Sequence, residues 1–119
     1  MSDWKFGMPI MLALGLLFPT GAPGHAIVLS AKPAVNEVVV GPDIPIKLRF
    51  NSRVDTRRSR LTLVTPDGSQ ISLAVGEAPS GDSLVAEAKG LKAGAYVLRW
   101  QVLASDGHIT RGEVPFRVQ

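Results

Sequence analysis

Between positions 44 and 50 the chain alternates apolar Ile44, Ile46, Leu48 and Phe50 with Pro45, Lys47 and Arg49. That period of two predicts a strand with one buried and one wet face. Pro45, near its start, suits an edge strand or a strand beginning. The longest such signal sets Tyr96, Leu98, Trp100 and Val102 against Val97, Arg99, Gln101 and Leu103. Residues 61–64 and 71–75 flank Pro66-Asp67-Gly68-Ser69, which has the residues of a tight turn, so this pair reads as a hairpin. Residues 26–29, a weaker segment at 83–88 and residues 114–118 bring the count to about seven strands, separated by Gly, Pro and Asp clusters. With no helical pattern after residue 24, this predicts an all-β, antiparallel β-sandwich. Tyr96 and Trp100 then read as core residues; the alternative for Trp100 is a place beside a metal.

The start of the chain follows a different logic. Residues 8–18 are apolar, uncharged and shorter than the roughly 20 residues a membrane span needs. Lys5 precedes them, offset by Asp3, and Pro19, Gly21 and Pro23 follow, the order of a secretory signal peptide. Small residues in Ala22-Pro23-Gly24 predict cleavage before His25, giving a signal segment of residues 1–24 and one mature domain of residues 25–119. Gly24-His25-Ala26 also fits a cleavage pattern, and that cut would remove the histidine.

Composition narrows the chemistry. There is no cysteine, so no disulfide framework and no thiolate metal site. Met1, Met8 and Met11 all precede the cleavage point, leaving the mature chain without methionine. The net charge of +3 is modest, and the cluster Arg53, Arg57, Arg58 and Arg60 lacks the interleaved aromatic residues of a nucleic-acid surface; it reads as a solvated face. Phosphate-cradling glycine loops, a nucleophile elbow and helical metal motifs are absent from the sequence.

The remaining chemistry gathers at Ala104-Ser105-Asp106-Gly107-His108-Ile109-Thr110. Asp106 and His108 stand two residues apart, and on an extended backbone their side chains would leave the same face. One further histidine exists, His25. As a new N-terminus it would offer an amine of reference pKa about 7.7 to 8.0 together with its ring, a chelate from one residue. With Asp106 and His108 this makes three nitrogens and one oxygen, a donor set that points to Cu(II). The plainer reading is an Asp-Gly turn followed by a solvated histidine.

The run from Leu91 to His108, Leu-Lys-Ala-Gly-Ala-Tyr-Val-Leu-Arg-Trp-Gln-Val-Leu-Ala-Ser-Asp-Gly-His, with Gly112 and Phe116-Arg117-Val118 after it, resembles the C-terminal signature of the CopC family of periplasmic copper-resistance proteins. The front is similar too: His25-Ala26 at the signal exit, Ser30 and Pro33, then Leu48-Arg49-Phe50. The resemblance implies a Greek-key β-sandwich or barrel, immunoglobulin- or cupredoxin-like, and Cu(II) held by the amine and ring of His25, Asp106 and His108. The lack of methionine implies the Cu(II)-only branch. Asn51-Ser52 stands where many members have Ser-Glu.

The expectation is therefore a non-enzymatic periplasmic Cu(II) carrier or buffer acting in copper resistance, exchanging metal with an inner-membrane transporter of the CopD type. Two alternatives stand beside it: a histidine-brace copper oxygenase, and a metal-free β-sandwich interaction module.

Overall fold

The computed structural model describes residues 26–76, 78 and 80–119. The expected signal segment and His25 lie outside the described residues. Eight strands follow in order: β1 Val28–Lys32, β2 Val38–Val39, β3 Ile44–Phe50, β4 Val54–Val64, β5 Gln70–Leu73, β6 Ser83–Ala88, β7 Gly94–Ala104 and β8 Ile109–Val118. They form two sheets, β1-β3-β6 and β2-β8-β7-β4-β5. Every neighbouring pair is antiparallel except β2 with β8. The sheets stay separate, so the expected sandwich is present and the closed barrel is not.

The alternation at 44–50 is realised without exception: Ile44, Ile46, Leu48 and Phe50 are buried while the residues between them are exposed. From the facing sheet, Leu61, Leu63, Leu98 and Val102 are fully buried and Phe116 nearly so, closing one core between the layers. Tyr96 stacks on Phe116 with ring centroids 5.7 Å apart. Its hydroxyl donates to the Lys92 carbonyl at 2.7 Å, which satisfies the one polar atom the ring brings inside. Trp100 lies at the core's margin, half-buried, and meets Phe50 edge-to-face at 5.4 Å.

Gly112 pairs with Trp100 across β7 and β8. A Cβ at position 112 would lie 2.3 Å from Trp100 Cζ2, so the tryptophan occupies the space that any other residue would fill.

Several elements differ from the sequence pattern: β1 lies at Val28–Lys32 rather than 26–29, β4 and β8 start earlier than expected, and one strand is added. β4 starts at Val54, earlier than 61, because its register with β7 shifts between Asp55 and Arg60 and the irregularity hides the alternation. β8 starts at Ile109 rather than at 114, carried by pairing with β7 through a polar stretch. The added strand, β2, is two residues long and held to the distant β8 through Val38 with Arg117 and Val39 with Val118.

Candidate metal centre

Residues 104–108 close the β7–β8 hairpin. The Gly107 N–H donates to the Ala104 carbonyl and the Ala104 N–H to the His108 carbonyl, both at 2.9 Å. Gly107 takes a φ of 89°, a left-handed conformation that costs a residue with a Cβ about 1–2 kcal/mol. Asp106 and His108 do share one side, as the sequence suggests, but through this turn and not through an extended backbone. Asp106 Oδ1 accepts the His108 N–H at 3.0 Å, and Oδ2 lies 2.9 Å from His108 Nδ1. The imidazole is largely exposed and the carboxylate mostly covered, with side-chain exposures of 64% and 23%.

The 2.9 Å between the Asp106 carboxylate oxygen and the His108 ring nitrogen is an ordinary hydrogen-bond length, so the two side chains hold each other. Among the described residues no group of three or more His, Asp or Glu gathers where it could hold a metal. The described residues bring together one imidazole and one carboxylate here.

The loop joining β3 to β4 is bonded both to this turn and to the start of the described chain. Asn51 Oδ1 accepts the Ile27 N–H at 2.8 Å, and the Asn51 N–H donates to the Ile27 carbonyl at 3.0 Å. Ala26, just before, is 3% exposed and belongs to the core. Two residues along the same loop, the Arg53 carbonyl accepts the Ser105 N–H at 3.1 Å. Residues 51–53 thus hold the backbone at Ile27 with one end and at Ser105 with the other.

The loop is itself braced: the Val54 N–H donates to the Gly81 carbonyl at 2.9 Å and the Phe50 N–H to the Asp82 carbonyl at 2.8 Å. The Asp82 carboxyl is held below the usual carboxylate range, chiefly by the Ser80 hydroxyl.

Of the three sequence-predicted ligands, the structure brings Asp106 and His108 together, and His25 lies outside the described residues. Ser52, beside Asn51, has a buried hydroxyl with no partner among the described residues, as does Thr110, two residues after His108. Sequence reasoning missed the part played by Asn51. It marks position 51 as a departure from a family pattern, while the bond to Ile27 spans 24 residues and leaves no local trace.

Comparison with known proteins adds independent information. The family model for the CopC domain matches residues 28–119. Copper resistance protein C of Pseudomonas syringae pv. tomato is 30% identical over 117 residues, covering 92% of each chain. Protein YobA of Escherichia coli K12 is 31% identical over 98 residues, 80% of this chain and 79% of that one. Among solved structures, CopC from Methylosinus trichosporium OB3b superposes with a TM-score of 0.74 at 30% identity, covering 80% of this chain and 94% of its own. PcoC, a methionine-rich copper resistance protein of Escherichia coli, gives 0.66 at 27% identity, covering 80% and 99%. A match over nearly the whole described sandwich, reached both by sequence and by fold, makes this chain a member of the CopC family.

Proposed function

We propose that this protein is exported to the periplasm, is cut before His25, and binds one Cu(II) through the His25 amine and ring, the Asp106 carboxylate and the His108 imidazole. Its role is that of a non-enzymatic carrier or buffer in copper resistance, passing metal to or from an inner-membrane transporter of the CopD type. The observation that supports this most is the common anchorage on residues 51–53 of the backbone at Ile27 and at Ser105. The placing of Asp106 and His108 side by side and the CopC membership support it further.

Within this reading each residue has a physical task. Asp106 brings negative charge and a hard oxygen, and together with the three nitrogens favours the divalent ion. Its bond to the His108 N–H fixes the carboxylate beside the ring before any metal arrives, so little ordering is left for binding to accomplish. Asn51 secures the leading strand, and Gly107 permits the turn. Protons compete with copper for nitrogen ligands, so loading falls as the solution is acidified.

The test is the intact native mass of protein recovered from the periplasm, with and without one equivalent of Cu(II). A chain beginning at His25 that gains one copper, and fails to in H108A, supports the proposal. A chain beginning at Ile27, or one beginning at His25 that stays metal-free, overturns it.

A further inference from the structure

The outer face of the five-stranded sheet carries a charge pattern that the copper reading does not use. Arg111 on β8, Gln101 on β7 and Arg60 on β4 stand in one row across three paired strands. Neighbouring strands are about 4.8 Å apart, so the two arginines start roughly 10 Å from each other with the amide between them. In the next row Glu113, Arg99 and Thr62 are aligned in the same way. These side chains line a groove of about 390 Å³.

Charge in the groove is only partly balanced. Arg99 Nε binds Glu113 Oε2 at 2.9 Å, so that pair is internally neutral. Arg111 Nε donates to Gln101 Oε1 at 2.8 Å, which fixes its guanidinium against an uncharged partner and leaves its charge uncompensated. Arg60 forms no ion pair with a described residue. Both guanidinium groups are exposed, and Arg117, further along the same face of β8, adds a third exposed positive charge.

Guanidinium forks match carboxylates in shape as well as charge, and an arginine already oriented by an amide loses less freedom when it binds. On an extended segment, carboxylates two residues apart are separated by about 7 Å, which side-chain reach extends to the spacing of Arg60 and Arg111. Gln101 and Thr62 are only partly exposed, so a flat lipid surface would meet the arginines more than these two side chains.

We propose that this groove docks an acidic segment of a partner protein, with two of its carboxylates engaging Arg60 and Arg111 on either side of Gln101. The sequence alone shows Arg60 only as part of a basic run on one strand. Pairing of β4, β7 and β8 is what sets it opposite Arg111 and turns scattered charge into a site.

The test is a titration of isotope-labelled protein with hexaglutamate, followed by amide chemical shifts, in parallel with inorganic phosphate and with phosphatidylglycerol vesicles. The expected result is saturable shifts centred on Arg60, Arg99, Gln101 and Arg111, with affinity falling about tenfold or more in R60Q/R111Q and falling as salt rises. K32Q/K47Q removes the same charge from the other sheet and is expected to leave binding unchanged. Shifts spread over all basic positions, equal losses in the two double variants, or no shift at all would overturn the proposal. A response to phosphate as strong as to the peptide would make this an oxyanion site instead, and vesicle binding that hexaglutamate does not displace would make it a membrane surface; either would also overturn it.

Discussion

The chain builds the same turn twice, at residues 65–69 and 104–108, and puts it to two uses. In both, an Asp-Gly pair follows a long strand. The Gly N–H donates to the carbonyl three residues back, Thr65 or Ala104, and the N–H of that residue donates to the carbonyl of Ser69 or His108, all at 2.9 Å. Gly68 and Gly107 have φ of 90° and 89°. The side chains differ. In the first turn Asp67 accepts from the hydroxyls of Thr65 and Ser69 and from the Ser69 N–H. Those donors, the Thr65 hydroxyl foremost, hold its carboxyl down at about 2. In the second turn Ala104 and His108 replace the two hydroxyl residues, and the carboxylate faces an imidazole. One aspartate is bonded to two hydroxyls; the other is bonded to an imidazole, the pair proposed above as metal ligands. Identical backbone geometry thus carries no chemistry by itself: the three positions that differ, Thr65 against Ala104, Pro66 against Ser105 and Ser69 against His108, and the neighbourhood of the 51–53 loop set the two turns apart.

Grafting the pattern should test that neighbourhood most severely. T65A/S69H converts the first turn to Ala-Pro-Asp-Gly-His, and with no N-terminal chelate tied near it the new site is expected to bind Cu(II) more than about 100-fold weaker than the native one. A competition titration of the variant carrying H108A as well isolates the grafted site. Comparable affinity would mean that the turn suffices and that the 51–53 loop has no part.

Removing the tie should come next in size. N51A loses the carboxamide that holds Ile27 and is expected to weaken Cu(II) about 10- to 100-fold while the β-sandwich stays folded. Copper EPR and thermal unfolding on the same sample separate the two effects.

The glycines offer a matched pair. Neither Gly68 nor Gly107 has any atom within 4 Å of where a Cβ would stand, so alanine meets only the backbone cost of a positive φ, about 1–2 kcal/mol in each. Melting temperatures should fall by a similar amount in G68A and G107A, and copper affinity should fall in G107A alone.

The smallest effect concerns acid. Because the folded state lowers the Asp67 carboxyl to about 2 from 3.8, its contribution to stability is present above about pH 4 and lost as pH falls through about 2. D67N should flatten the acid dependence of unfolding in that window and leave copper binding untouched.

How much of this is legible in the sequence follows from the range of the interactions. The alternation at 44–50 declares β3, and the tight-turn residues at 66–69 declare the β4–β5 hairpin, because both signals are local. The Asp106–His108 pair is legible from its spacing, although the backbone that unites them is a turn. β2 is not legible, since two residues show no period and their partners lie at the far end of the chain. Nor is the tie between Asn51 and Ile27 or the row Arg111, Gln101 and Arg60, each created only when distant strands pair.

The most direct measurement of the central claim is a Cu(II) titration, by competition with a chelator of known affinity, of protein beginning at His25, set beside H108A and D67A. A centre built from His25, Asp106 and His108 predicts one tight site in the parent protein, its loss in H108A, and its full retention in D67A. Equal copper binding by H108A and the parent would contradict it.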